Sequence, residues 1–173
     1  MMDKKNFCDS AARAGIVLGG VSVVYFVLNL LIGKITGAPL VQSLLQIVIW
    51  IAKFVGCIVL MNLLMKRFAS REKVSGRGGT FAFGCAAALL SAFFYSVVYY
   101  AYVKVFDPEL FRAAIDSAIA AYSSHMDSNS TAALEQIIPK LPGITFFVNL
   151  FYCTLYGVVL SAIFSSRLRD ERL

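Results

Sequence analysis

Apolar residues in this chain fall in four long blocks rather than in alternation. AGIVLGGVSVVYFVLNLLIG fills 14–33, and further blocks cover about 40–65, 80–105 and 144–166. A helix needs about 20 mostly apolar residues to cross the hydrocarbon core of a bilayer. Each block meets that length and is bounded by charge, Gly or Pro. Continuous apolar runs predict helices, because a membrane barrel alternates and needs many more strands. The expected fold is therefore all-α. It is a four-transmembrane-helix, up-down-up-down bundle forming a single integral membrane domain over residues 1–173.

The segment between the third and fourth blocks, 107–143, is the only sizeable extramembrane piece. Asp107-Pro108-Glu109 reads as a helix start, with an N-cap acid, Pro at the first helical position and an acid in the first turn. Phe111, Ile115, Ala118, Ile119 and Tyr122 then recur at helical spacing. SSHMDSNST interrupts the pattern. A second short amphipathic piece with Leu134, Ile137, Ile138 and Leu141 follows, and Pro139 and Pro142 are expected to end it. The loop is thus an amphipathic helical loop that either lies on the bilayer and caps the bundle or docks a partner. Asn129-Ser130-Thr131 matches a glycosylation triplet that arises often by chance.

Composition agrees with the blocks. The chain is 59% hydrophobic and 15% charged, whereas soluble domains are about half apolar and a quarter charged. A soluble chain of this size would leave too much apolar surface uncovered. The net charge of +6 does not indicate nucleic acid, because the basic residues sit in short segments between blocks. They also set the direction of the spans. Lys4, Lys5 and Arg13 precede the first block. Lys66, Arg67, Arg71, Lys73 and Arg77 separate the second and third, and Arg167, Arg169 and Arg172 follow the fourth. The opposite side has only Lys34, Arg112 and Lys140, among five acids. Both termini are therefore expected in the cytoplasm. The first block exceeds the 7–15 apolar residues of a signal peptide, so a retained helix is expected there.

Small residues mark close helix approaches: Gly15 and Gly19 in the first span, Ala52 and Gly56 in the second, Gly84 and Ala88 in the third. Contacts within the chain are the expected use, and pairing with a second copy is the other. The four cysteines, Cys8, Cys57, Cys85 and Cys153, lack metal-ligand spacing. With His125 as the sole histidine, no metal centre or cofactor is expected. Ser70-Arg71-Glu72-Lys73 matches the SxxK pattern of penicillin-interacting enzymes without its companion motifs. Ser75–Gly79 lacks the strand and the Lys-Ser/Thr of a nucleotide loop. No nucleophile–base pair can be named, so no catalytic residues are assigned.

The stretch from Gly76 to Asp116 resembles a family of uncharacterised bacterial four-span membrane proteins of Bacteroidota type, domain of unknown function 4199. The resemblance rests on Gly76, Gly78 and Gly79 at the entry to span three, Tyr95, Tyr99, Tyr100 and Tyr102 in its outer half, and Asp107-Pro108 beyond. It implies a multi-pass protein of the bacterial inner (cytoplasmic) membrane and brings no activity with it. Lys53 belongs to no motif of the resemblance.

Lys53 lies near the centre of span two. Insertion scales place a central Lys at about +2.5 to +3.5 kcal/mol. Flanking Leu, Ile, Val and Phe at about −0.3 to −0.6 kcal/mol each outweigh that. At 100° per residue Gln42, Gln46, Lys53 and Cys57 share one face, which should point inward. Facing spans offer Tyr25 and Asn29, then Tyr95, Tyr99 and Tyr102, then Asn149, Tyr152 and Tyr156. The candidate polar cavity is Lys53, Gln46, Gln42, Asn29, Tyr95, Tyr99, Asn149, Tyr152 and Tyr156. No Asp or Glu falls within any of the four blocks. Lys53 is then a structural contact to Tyr, Asn or backbone, a cation whose counter-anion comes from outside the chain, or a snorkelling side chain.

Two functional classes follow. The leading expectation is a non-enzymatic membrane protein that scaffolds or modulates a membrane partner. The alternative is a small transporter or a protein binding an anionic lipid or solute in a cavity lined by Lys53 and tyrosines. Membrane lipids are the expected partners, with a membrane protein or a second copy possible and nucleic acid excluded. A cavity reaching Lys53 discriminates the two classes.

Overall fold

A computed structural model describes residues 4–35, 39–71, 77–122 and 136–170. The expected SSHMDSNST break, His125, the glycosylation triplet, Leu134, Lys73 and Ser75-Gly76 lie outside them. The described residues are helical nearly throughout. Helix α1 is Lys4–Ile35, α2 is Pro39–Arg71 and α3 is Arg77–Ala101, continued by a π-helical segment, Tyr102–Phe106. Helix α4 is Pro108–Tyr122, a 3-10 turn covers Ile138–Lys140, and α5 is Leu141–Asp170. Among the described residues, four helical stretches are long and apolar enough to cross a membrane: Lys5–Gly33, Leu40–Arg71, Gly78–Phe106 and Ile138–Arg167. The chain is built as a multi-pass membrane protein.

The fourth span starts earlier than the sequence pattern indicates. Pro142 was expected to close a loop helix, yet it sits in the first turn of α5. The physical reason is that N–H groups of a first turn have no intrahelical acceptor, so proline removes nothing there.

The chain divides into two compact units, Met1–Tyr95 with Leu150–Leu173, and Ser96–Asn149. In the first, the beginnings of α1 and α3 meet the ends of α2 and α5. Ala11, Ala14, Met65, Phe68, Phe83 and Phe164 form its buried core, so these helices alternate in direction. Phe68 and Phe83 stack with centroids 4.0 Å apart and planes 4° apart. Phe7 meets both edge-on. Aromatic pairs in such geometry add about 0.5–1.5 kcal/mol each beyond area burial.

Small residues seat the helices of this unit. A Cβ placed on Gly15 would lie 2.6 Å from the Leu90 Cβ, and one on Gly19 would lie 2.8 Å from the Phe94 ring. Helix α1 therefore touches α3 along its GxxxG pair. Gly84 of α3 faces Ser161 of α5, and Gly157 of α5 faces Ala88. Ser161 is buried and donates to the Gly157 carbonyl oxygen at 2.6 Å. Without a hydrophobic drive between helices in lipid, such close backbone approach supplies the packing energy. Gly56 of α2 behaves differently: a Cβ there would meet nothing within 4 Å.

The second unit holds the end of α3, the π segment, α4 and the start of α5. The Asp107 N–H donates to the Tyr102 carbonyl at 3.0 Å, an i to i−5 bond. The Tyr102 hydroxyl donates to the Asp107 carboxylate at 3.3 Å. Helix α4 is amphipathic as its pattern indicates. Phe111, Ile115 and Ile119 are half-buried, whereas Arg112, Asp116 and Ser117 are exposed. Tyr100 and Phe146 meet edge-on at 6.0 Å.

Candidate functional site: a lysine between two tyrosine rings

Helix α2 presents most of its surface outward. Trp50, Ile51, Phe54, Val55 and Val59 are exposed. Gln42, Gln46, Lys53 and Cys57 are each half-buried. The polar stripe on this helix is thus turned away from the surface that the apolar residues occupy.

The Lys53 Nζ lies 4.5 Å from the centroid of the Tyr25 ring and 5.4 Å from that of Tyr95. These rings come from α1 and α3. A cation over an aromatic face gains about 0.5–1 kcal/mol at exposed sites and about 2 when desolvated. Two rings therefore offset much of the roughly 3 kcal/mol that a central lysine costs on insertion scales.

A cavity of about 130 Å³ opens beside this lysine. One water needs about 10–15 Å³ on the same measure, so several fit. Trp50, Lys53, Phe54, Cys57 and Met61 of α2 form one wall, and Tyr152, Cys153, Tyr156, Gly157 and Leu160 of α5 the other. Leu18 and Ser22 of α1 with Ala88 and Ser91 of α3 complete it. Phe54 and Tyr156 touch across the walls, with ring centroids 5.5 Å apart. Lys53, Cys57 and Cys153 share the lining of this cavity. The Tyr156 hydroxyl is buried and has no hydrogen-bond partner among the described residues. An unmet buried hydroxyl costs about 1–3 kcal/mol, which an acceptor in the cavity would relieve.

The rim is apolar and outward-facing. Trp50 is 53% exposed and Tyr152 66%, although both line the cavity. Trp50 also stacks on Phe54 at 5.6 Å. The cavity is therefore bordered by residues that lipid tails would touch.

Of the nine residues expected to share a polar cavity, Lys53, Tyr152 and Tyr156 line it, and Tyr95 reaches it through Lys53. Gln42, Gln46 and Asn29 do not border it. The Asn29 amide instead donates to the Tyr25 carbonyl at 2.9 Å, on its own helix. Tyr99 and Asn149 belong to the second unit. Ser22, Ser91 and Cys153 line the cavity and were not in the expected set. The available signal was spacing: Ser22 is three residues before Tyr25, and Ser91 four before Tyr95, so each shares a helix face with the ring that meets Lys53. Among the described residues no group of three or more His, Cys, Asp or Glu side chains gathers to hold a metal.

Residues 13–170 match the family described as "Protein of unknown function (DUF4199)". The chain belongs to the DUF4199 family. No curated protein and no solved structure matches it. The family carries no assigned activity, so the geometry around Lys53 is the basis for a functional reading of this DUF4199 protein.

Proposed function

We propose that this DUF4199 protein is a non-enzymatic protein of the bacterial inner membrane that binds an anionic amphiphile at Lys53. Both termini face the cytoplasm, and the four spans form an up-down-up-down bundle. Eleven basic residues on the side of the termini support that orientation.

The observation that carries the reading is a lysine amine set over the rings of Tyr25 and Tyr95, at a cavity lined by no Asp or Glu. A buried cation without its countercharge draws an anion. Trp50 and Tyr152 at the rim favour a ligand that arrives from the hydrocarbon phase. The cavity suits a carboxylate-sized head with its first methylenes against Phe54, Met61 and Leu160. The Tyr156 hydroxyl donates the second hydrogen bond to that head.

Oleate, one carboxylate on one hydrocarbon chain, is the probe. The protein in neutral-lipid nanodiscs binds oleate, Lys53→Met abolishes binding, and Lys53→Arg retains part of it. Unchanged affinity in Lys53→Met refutes the reading.

Scaffolding of a membrane partner is the second reading, and a separate observation favours it. Ala52 is exposed, and half-buried Gly56 has open space where a Cβ would sit. A small-xxx-small pair of this kind lets another helix approach closely. Disulfide crosslinking through Ala52→Cys in native membranes reports a neighbour there, and absence of any crosslinked species removes this reading.

A further inference from the structure

A second amphiphilic slot lies at the basic end of the spans, between α1 and α2, remote in sequence from Lys53. Its cavity measures about 210 Å³. Arg13 of α1 and Arg67 and Arg71 of α2 line it. Arg67 and Arg71 are one helical turn apart and so share a face. Val17 and Leu64 line it too, and Leu64 comes three residues before Arg67 on α2. Val17 follows Arg13 by four residues, about 6 Å along the helix axis. The floor is the buried Phe68–Phe83 stack. The slot therefore changes from cationic to apolar over one turn, at the point where the apolar spans begin.

Charge on this site is not balanced. Arg13 pairs with Asp9 at 3.0 Å, with both side chains largely exposed. Among the described residues no carboxylate pairs with Arg67 or Arg71. A neighbouring hollow of about 320 Å³ is lined by Arg13 and Arg71 together with Asn6, Asp9 and Ser10. Ser10 lines both spaces. Guanidinium groups bind phosphate oxygens through paired N–H donors, and a serine hydroxyl adds a third donor.

We propose that this slot is a binding site for an anionic phospholipid of the adjacent leaflet. The phosphodiester sits on Arg67 and Arg71, assisted by Arg13 and Ser10. The first part of one acyl chain runs along Val17 and Leu64. This site is independent of the Lys53 cavity: it takes a headgroup at the interface, not a ligand in the bilayer interior.

The test is native mass spectrometry of the full chain released from vesicles of phosphatidylglycerol and phosphatidylcholine. Retained phosphatidylglycerol is expected in preference to phosphatidylcholine. Arg67→Gln and Arg71→Gln should each weaken retention about fivefold, the effect of one basic contact at an anionic surface. Leu64→Trp, which fills the apolar part without changing charge, should weaken it as well. Arg167→Gln, an exposed basic residue on α5 outside the slot, should leave it unchanged. Each single variant is read separately, so loss of one to misfolding still leaves the others. Equal loss in Arg167→Gln, indifference to Leu64→Trp, or equal retention of phosphatidylcholine would reduce the site to general surface charge and overturn the proposal. Equal stabilisation by inorganic phosphate alone would do the same. Loss of oleate binding in Lys53→Met leaves this outcome untouched, so failure of one site does not decide the other.

Discussion

The Lys53 ammonium stands over the face of Tyr25, 4.5 Å from the ring centroid, so a cation near the middle of α2 is held by an aromatic group of α1. Tyr95 of α3 supplies a second ring at 5.4 Å. Three helices thus converge on one charge, and the cavity beside it borrows its chemistry from that arrangement.

If the contact is energetic rather than incidental, it shows in a double-mutant cycle. Tyr25→Leu should lower stability to SDS unfolding by about 1 kcal/mol in the parent chain, within the range for a partly desolvated cation–π pair. In a Lys53→Met background the same change should have little effect. Equal losses in both backgrounds would show that Tyr25 acts through packing alone.

Glycines divide by what faces them. Gly84→Val and Gly157→Val put branched side chains against Ser161 and Ala88, where backbone and short side chains leave no room. Overpacking of this kind costs about 1–3 kcal/mol. Gly56→Ala meets open space, and should stabilise α2 by up to about 1 kcal/mol through the lower conformational entropy of alanine. Unfolding in mixed micelles measures all three, and a tolerated Gly157→Val would contradict the described α3–α5 contact.

Cysteine reactivity reads the cavity. Cys57 and Cys153 line it, whereas Cys85 does not. A small membrane-permeant methanethiosulfonate should modify Cys57 and Cys153, each tested as the sole remaining cysteine, and oleate should slow both. Cys8 is exposed and should react at the same rate with or without oleate. Protection of Cys8, or none at Cys57 and Cys153, would place the ligand elsewhere.

Orientation is checked with reporter fusions. Alkaline phosphatase at the C-terminus should be inactive, and a cytoplasmic fluorescent reporter at the same point should be bright. Moving basic charge from the Lys66–Arg71 end to the opposite end should weaken that preference. An active phosphatase at the C-terminus would invert the topology proposed here.

Much of the fold was legible because bilayer thickness acts locally. Twenty apolar residues in a row declare a span wherever the rest of the chain goes, and the four blocks correspond to the four membrane-length helices. The amphipathic α4 was readable for the same reason, since its stripe depends only on residues a turn apart. The start of α5 was misplaced, because Pro142 looks like a terminator until one knows it occupies a first turn.

The sequence by itself determined the number of spans, the all-helical class, the central position of Lys53 and the lack of a carboxylate in its surroundings. Only the tertiary structure decided that Tyr25 and Tyr95, rather than Asn29 or the glutamines, meet the amine. It alone separated the seated pairs, Gly15 with Gly19 and Gly84 with Ala88, from the open pair, Ala52 with Gly56. The physical reason is rotation about the helix axis. A span that is apolar on nearly every side is equally content with many rotations in lipid, so its own pattern does not say which face a neighbour covers. Interhelical packing makes that choice, through steric fits between residues distant in sequence.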